Sequence, residues 1–295
     1  MSWKIVADSA CDIIDLDRKC PGLSYASIPF VFTVDDRSFT DDEHFDTRIL
    51  LDALAKARTP SKSSCPSPDL WADEFKTADY SIAITISAEL SGSYNSACAA
   101  REMVLEEFPE KKIAVVNCRS TGPGNILIAE KAADLIAEGI GFDEIIKKLN
   151  EYVSHVHTVF ALCSFDNLIR NGRMPRLVGI AARALHLWGI GIGTPGGKIE
   201  LIGKARGGDG AVNSIIKDYS EKRQGGRCLY ISHCRNPKVA EKIRDQVMKM
   251  PSPPKVRIFE TRGLDTFYAE NEGIIVSYDG ILQKHNLFSP ILDRI

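Results

Sequence analysis

Short apolar runs rich in β-branched residues alternate with longer helix-like runs along most of the chain. One complete cycle passes from the strand-like run 80–86 through the helix-like run 94–108 to the next strand-like run, 112–116. Strands that alternate with helices in this way indicate a mostly parallel sheet with helices on both faces. The sequence therefore predicts an α/β fold with a mostly parallel sheet in its N-terminal part.

The second half of the chain has a different pattern. The strand-like runs 188–194 and 198–202 flank a Gly-Gly turn, which predicts a hairpin. A chain of 295 residues is long enough for two domains with cores of their own. We therefore predict an N-terminal α/β domain at residues 1–157 and a C-terminal α/β domain at residues 158–295, the latter with a mixed sheet and helices.

Periodicity, together with the positions of glycine and proline, sets the bounds of the predicted elements. The expected strands are 3–7, 25–34, 38–40, 80–86, 112–116, 156–163, 188–194, 198–202, 227–232, 255–260 and 273–278. The expected helices are 46–57, 68–76, 94–108, 125–138, 142–155, 174–187, 210–219, 237–248 and 264–270, with a helical turn at 165–170.

Composition excludes several classes of protein. The formal net charge is -2, which does not favour a nucleic-acid partner. No apolar run approaches the roughly 18–20 residues that a membrane span needs, and the chain enters its first strand without a signal-peptide core. The 8 cysteines include no C-x-x-C pair, so we expect reduced thiols and a cytoplasmic protein.

The segment ITISAELSGSYNSA, residues 84–97, runs from a strand through hydroxyl residues into a helix. Backbone N–H groups at a helix N-terminus are unpaired and carry partial positive charge. Ser87, Ser91 and Ser93 lie at this junction, where they could form a small site for a carboxylate or a phosphate. The alternative is that Ser91 only caps the helix.

The segment TPSKSSCPSP, residues 59–68, contains three prolines and four serines and is predicted to be an irregular loop that holds hydroxyl groups in place. Asp8 and Asp12 follow the first strand, where they mark either a ligand-binding rim or a helix cap. The acids at residues 41–43 are interpreted as capping charge for the helix 46–57. Metal binding by Asp41, Asp42 and His44 is the disfavoured alternative.

Signatures of catalysis are missing from the sequence. It contains no G-x-S-x-G, no H-E-x-x-H and no phosphate-binding G-x-x-x-x-G-K-[ST]. Gly191, Gly193 and Gly196 match G-x-G-x-x-G, but a strand follows them where a dinucleotide site needs a helix. Hydroxyl groups without an evident catalytic base favour binding over chemistry, with no cofactor.

Several segments together resemble the DegV family of bacterial fatty-acid-binding proteins. LSGSYNSA at 90–97 is similar to the family's LSGTYxSA, and SSCPSP at 63–68 to its TSxPSP. The Asp8-Ser9 strand end, NCRSTGPGN at 117–125 and FDNLIRNGRM at 165–174 follow in the family's order. The resemblance thus covers nearly the whole chain.

The resemblance implies two α/β domains with a long-chain fatty acid between them. Its carboxylate contacts correspond to Ser63 and Ser91, with backbone N–H groups of Ser64 and Gly92 as further donors. Arg173 matches the arginine of the family's G-G-R-I. The resemblance also implies a non-enzymatic carrier that presents the fatty acid to a fatty-acid kinase.

One departure from the family pattern lies in the C-terminal part. Many members have T-H-T-G-P-G there, whereas this chain has ETRGL at 260–264, and Arg262 is a candidate replacement for the histidine. Two other functions stay open from the residues alone. One is a binding module for a smaller carboxylate, and the other is an acyl or phosphoryl transferase that uses Ser91.

Overall fold

A computed structural model describes residues 1–16, 20–175, 187–222 and 225–280. Its strands are β1 Trp3–Asp8, β2 Leu23–Ile28, β3 Val31–Val34, β4 Arg37–Thr40, β5 Lys62–Ser64, β6 Tyr80–Thr85, β7 Lys112–Asn117, β8 Val156–Leu162, β9 Leu187–Gly193, β10 Ile199–Arg206, β11 Cys228–His233, β12 Lys255–Glu260 and β13 Ile274–Asp279. Its helices are α1 Thr47–Lys56, α2 Pro68–Phe75, α3 Ser93–Glu107, α4 Pro123–Ala137, α5 Phe142–Val153, α6 Asp166–Arg170, α7 Gly207–Lys222, α8 Pro237–Val247 and α9 Gly263–Ala269.

The N-terminal part is built on a four-stranded sheet in the order β2-β1-β6-β7, and all of its pairs are parallel. Side chains of β1 alternate between two cores: Ile5 and Ala7 pack with the residues of α4 and α5, whereas Val6 packs with those of α2 and α3. Helices therefore cover both faces of this sheet, as the sequence pattern predicted.

The second large sheet has the strand order β10-β9-β8-β13-β11-β12. It is mixed, because β11 and β12 run parallel while the other neighbours are antiparallel. The predicted hairpin is present as β9 and β10, and the glycines of the G-x-G-x-x-G match belong to it. The α/β fold class with a mixed C-terminal sheet is confirmed, while the boundary at 157/158 stays a prediction.

A small third sheet, β4-β3-β5, corrects two predictions. The predicted strand 25–34 is divided into β2 and β3, which flank Pro29, because proline has no N–H to donate to a sheet. The segment 59–68, predicted to be irregular, contains β5, in which Ser63 pairs with Phe32. A tertiary pairing thus orders three residues that local sequence places in a loop.

The acids before α1 are also placed differently from the prediction. Asp46 caps α1 and accepts a hydrogen bond from the Arg48 N–H at 2.9 Å. Asp41 instead accepts from the N–H groups of Gly263 and Leu264, at 3.0 and 3.1 Å, and so caps α9. The interpretation of Asp41 as capping charge for α1 was therefore wrong.

Two further expectations were a helix at 174–187 and the absence of a membrane-spanning segment. Most of the helix predicted at 174–187, including Arg176 and Arg183, lies outside the described residues. In the ranges that the structure does describe, no helix combines the length and the apolar character needed to cross a bilayer.

Candidate functional site

A cavity of about 360 Å³ lies where the carboxyl ends of β6 and β7 meet one face of the mixed sheet. Its volume falls within the range of small-molecule sites, about 300–1,000 Å³. Ligands in open α/β sheets characteristically bind outside the carboxyl ends of parallel strands. The cavity has a largely apolar wall, formed by Phe30, Ile86, Leu90, Phe160, Leu162, Leu168, Ile199, Leu264 and Ile275.

Five of the six predicted site residues line this cavity: Ser63, Ser64, Ser91, Gly92 and Arg173. They come from β5, from the loop before α3 and from the segment after α6, so the fold gathers positions that are up to 110 residues apart.

Ser63 is held by the pairing of β5 with β3. Its Oγ lies 2.8 Å from the Tyr268 hydroxyl of α9, and either oxygen can donate. Two hydroxyl groups joined by one hydrogen bond leave one proton over. The pair therefore has one O–H group available for a ligand oxygen.

Ser91 lies two residues before α3, whose N-cap is Gly92. Its Oγ accepts a hydrogen bond from the Ser93 N–H at 3.2 Å. The capping alternative thus describes a real contact, but this contact uses only the oxygen as acceptor. The hydroxyl proton of Ser91 has no acceptor among the described residues, and it can be donated to a ligand in the cavity.

Arg173 is fixed beside Ser91 by backbone carbonyls. Its Nε donates to the Leu90 carbonyl at 2.9 Å, and its Nη1 donates to the carbonyl of Asn171. Burial raises the pKa of the Tyr268 hydroxyl, and the Arg173 charge opposes that shift, which places the guanidinium within electrostatic reach of Tyr268. A fixed cation beside two hydroxyl donors suits a carboxylate.

Arg262, the sixth predicted residue, is not among the residues that line this cavity. Its guanidinium donates to Ser27 Oγ at 2.5 Å and to the Asp41 carbonyl at 2.7 Å, and it forms an ion pair with the Asp41 carboxylate at 3.7 Å. The structure therefore does not bring Arg262 to the other five residues. Its partners assign it to the anchoring of α9.

Three carboxyl groups, those of Asp8, Asp12 and Asp265, are buried close to the site. Asp8 accepts hydrogen bonds from Ser93 Oγ at 2.6 Å and from the Ile86 N–H at 3.0 Å, and burial raises its pKa to about 6. Burial also raises the pKa of Asp12 to about 7. Burial, reinforced by the charge of Asp12, raises the pKa of Asp265 well above its usual value. Of the three, only Asp265 lines the cavity.

Sequence reasoning missed Tyr268 and Asp265, along with Ser120, Thr121 and Thr158, all of which line the cavity. The short helix 264–270 was predicted, but nothing in its sequence indicates which side faces the ligand site. NCRSTGPGN was noted as a segment of family resemblance without a role for its hydroxyl groups.

The lining has few groups that could act as a catalytic base. Among the described residues, no histidine borders the cavity, and no three or more His, Cys, Asp or Glu side chains are grouped to hold a metal ion. The Asp41 carboxylate, part of the disfavoured metal alternative, accepts hydrogen bonds from two N–H groups of α9. The arrangement is able to bind an anionic head group beside an apolar tail.

Comparisons with known proteins agree with this geometry. A family model described as "Uncharacterised protein, DegV family" matches residues 2–271. A DegV domain-containing protein of Streptococcus pyogenes serotype M1 is 33% identical over 279 residues, which are 95% of this chain and 100% of that protein.

Two solved structures are similar over nearly the whole chain. The Streptococcus pneumoniae Fatty Acid Kinase (Fak) B3 protein loaded with linoleic acid has a TM-score of 0.92 and 32% identity, covering 95% of this chain and 99% of that one. A DegV family protein from Eubacterium eligens loaded with heptadecanoic acid has a TM-score of 0.90 and 35% identity, covering 95% and 100%.

Proposed function

The chain belongs to the DegV family, and from that premise we propose that it binds one long-chain fatty acid in the cavity and acts as its carrier. The observation that carries the proposal is a single cavity with unused hydroxyl protons and a fixed arginine on an otherwise largely apolar wall. The two similar structures contain acids of this class.

The carboxylate is bound in this proposal by Ser63, Ser91 and Arg173, with the backbone of Ser64 and Gly92 close by. Tyr268 joins this set as the hydrogen-bond partner of Ser63. A carboxylate removed from water needs several donors to stay ionised, and these residues supply them.

The acyl chain contributes affinity through burial. Each buried CH₂ group is worth about 0.8 kcal/mol, so a chain that fills the apolar part of the cavity dominates the binding free energy. The walls that receive it come from both parts of the chain, with Phe30 and Ile86 next to strands of the N-terminal part and Phe160, Leu162 and Ile275 in the mixed sheet. This arrangement supports the proposed division into domains at residues 1–157 and 158–295.

The proposal also states how the bound fatty acid is used and where in the cell the protein is located. In this role the protein holds the fatty acid while a fatty-acid kinase phosphorylates the carboxyl group, and it performs no catalysis itself. Ser64 and Gly92 are exposed, which supports a head-group region that a partner can reach. A cytoplasmic location, predicted from the sequence, belongs to the same proposal.

Native mass spectrometry of the purified protein tests the proposal most directly. We expect one bound acid of about C14–C18, released on denaturation and rebound on reconstitution. A co-purified short carboxylate would favour the small-carboxylate module instead. Loss of an acyl or phosphoryl group from added donors, abolished by Ser91→Ala, would establish the transferase and refute the carrier.

A further inference from the structure

The cavity has a second polar region that the proposed carboxylate site does not use. Ser120, Thr121, Thr158 and Asp265 line it, and none of them contacts Ser63, Ser91 or Tyr268 through a hydrogen bond. Asp265 lies three residues before Tyr268 on α9, which is about 4.5 Å along a helix axis. The two polar regions are thus neighbours, one helical turn apart.

The second region is built from four parts of the fold. The Thr158 hydroxyl of β8 lies 2.7 Å from Ser120 Oγ in the loop after β7, and 2.8 Å from Ser277 Oγ of β13. Thr121 donates its hydroxyl proton to Asp265 Oδ1 at 2.7 Å. Ser120, Thr158 and Asp265 are each more than 90% buried, so these oxygens are held away from bulk water.

Two glycines of the GPG turn make room for this region. A Cβ on Gly124 would lie 2.0 Å from Ser120 Oγ, and a Cβ on Gly122 would lie 2.4 Å from Asp265 Oδ2. Such contacts are sterically impossible, so the turn can come this close only because residues 122 and 124 are glycine. The oxygens therefore occupy a packed and defined arrangement.

The hydrogen bonds leave acceptors rather than donors. Ser120, Thr158 and Ser277 use two of their three protons on one another, and Ser120 also approaches the Thr121 carbonyl at 3.3 Å. Thr121 has given its proton to Asp265. Each hydroxyl oxygen can accept two hydrogen bonds, so the hydroxyl groups of these cavity-lining residues keep acceptor capacity. A hydrocarbon chain has no donor for these oxygens, whereas a hydroxyl group on the ligand can donate a hydrogen bond to them.

The apolar wall continues beside this region. Thr158, Phe160 and Leu162 face the cavity from β8, and successive members of such a row are about 7 Å apart. Phe160 packs closely against Gly191 of β9, since a Cβ on Gly191 would be 2.2 Å from its ring. Along β8 the cavity wall thus has one polar residue followed by two apolar residues. This pattern matches an acyl chain that carries one polar substituent.

We propose that the preferred ligand is a long-chain fatty acid with a hydroxyl group on its chain, and that Ser120, Thr121 and Thr158 accept the hydrogen bond from that hydroxyl. This inference rests on the proposed fatty-acid binding and specifies its ligand class. A keto group at the same carbon has no proton to donate and is not favoured by the region.

The test compares binding of stearic acid, positional isomers of hydroxystearic acid and the keto acid that matches the best isomer. We expect at least one hydroxy isomer to bind about 3- to 10-fold more tightly than stearic acid, the value of one net hydrogen bond, and the keto acid to show no such gain. Thr158→Val should remove the preference while stearic acid still binds. Thr85→Val is the matched control, because it deletes a buried strand hydroxyl that does not line the cavity.

Several outcomes overturn the inference. The inference fails if no hydroxy isomer binds more tightly than stearic acid, or if the keto acid gains as much affinity as the hydroxy acid. It also fails if the preference for the hydroxy acid survives in both Thr158→Val and Ser120→Ala. Ser120→Ala is the second variant if Thr158→Val fails to fold, as judged by its thermal melt. Binding of stearic acid tests the proposed function separately. If the protein binds stearic acid and hydroxystearic acids equally well, only the hydroxy-acid inference is contradicted.

Discussion

At the scale of single residues, the head-group region depends on which atoms already have partners. Ser91 is engaged only as an acceptor, and the Ser63–Tyr268 pair has one proton to spare. Hydroxyl groups that are anchored through their oxygens are oriented before the ligand arrives, which lowers the entropic cost of binding.

Alanine substitution of the two serines separates binding from capping. Ser63→Ala and Ser91→Ala should each weaken fatty-acid binding by about 1–3 kcal/mol, roughly 5- to 150-fold, because each removes a hydrogen bond to a charged group. Ser91→Ala should also cost about 1 kcal/mol of stability, since its oxygen accepts from the Ser93 N–H at the start of α3. Titration of a fluorescent fatty acid and melts of the ligand-free proteins measure both quantities. Unchanged affinity in both variants would refute the assigned head-group site.

The Ser63–Tyr268 pair should behave as a unit. After Tyr268→Phe the Ser63 hydroxyl still has its proton, and after Ser63→Ala the Tyr268 hydroxyl keeps its own. We therefore expect the double variant to lose more affinity than the sum of the two single variants, in a double-mutant cycle. Strict additivity would show that the two hydroxyl groups do not substitute for each other in binding, and no effect of Tyr268→Phe in either background would exclude Tyr268 from the site.

At the scale of elements, α9 determines how the site is closed. This short helix contributes Leu264, Asp265, Tyr268 and Ala269 to the cavity. Its first turn is held by Asp41, and Arg262 just before it is bonded to the N-terminal part of the chain. Seven residues are too few for a stable isolated helix, so these tertiary contacts keep it in place.

Asp41→Ala should therefore destabilise the protein strongly. The change leaves two N–H groups of α9 without their acceptor and removes the carboxylate partner of Arg262, and losing one partner of a buried ion pair costs about 3–5 kcal/mol. Urea unfolding measures the loss. Asp42→Ala is the control, because Arg262 contacts Asp42 only through its backbone carbonyl. Equal stability of the two variants would contradict the anchoring role of Asp41.

At the scale of the whole molecule, Asp12 and Asp265 connect the loop after β1 with α9. Each has one buried oxygen without a hydrogen-bond partner in the described residues, and both carboxyl groups have raised pKa values. Two carboxylates in one buried space cannot both ionise without repulsion, so the pair favours a retained proton. The contact is therefore sensitive to pH.

Asp12→Asn tests this pH dependence. A carboxyl group whose folded pKa is raised stabilises the protein below its unfolded pKa, near 4, and that contribution is lost as pH rises through about 7 for Asp12. His157 and His233, whose pKa values are lowered by burial, act in the opposite direction, so the difference between variant and parent is the useful quantity. Relative to the parent, Asp12→Asn should gain stability from pH 5 to about pH 7 and change little above that pH.

Denaturant melts across that range measure the difference in unfolding free energy. Asp35→Asn is the control, because the hydrogen bonds from Thr59 lower the pKa of Asp35 and its effect is confined to acidic pH. A difference between Asp12→Asn and the parent that does not change with pH would show that Asp12 carries no retained proton.

Local patterns in the sequence were sufficient for the fold class. The parallel N-terminal sheet, the β9–β10 hairpin and most element bounds follow from periodicity and from glycine and proline positions, because these depend on neighbours within a few residues. Ser63 and Ser91, which line the cavity, were predicted as carboxylate contacts from the resemblance of two short motifs. The division of the predicted strand 25–34 into β2 and β3 at Pro29 was not predicted.

Only the tertiary structure decided which side chains meet. Ser63 and Tyr268 are 205 residues apart, and Asp12 and the Arg262 N–H are 250 apart, so no local pattern encodes either contact. The pairing of β5 with β3 orders Ser63, and the anchoring of α9 takes Arg262 away from the cavity while it brings Tyr268 and Asp265 in. Sequence determines elements through short-range sterics and periodicity, whereas a binding site depends on long-range packing that places elements side by side.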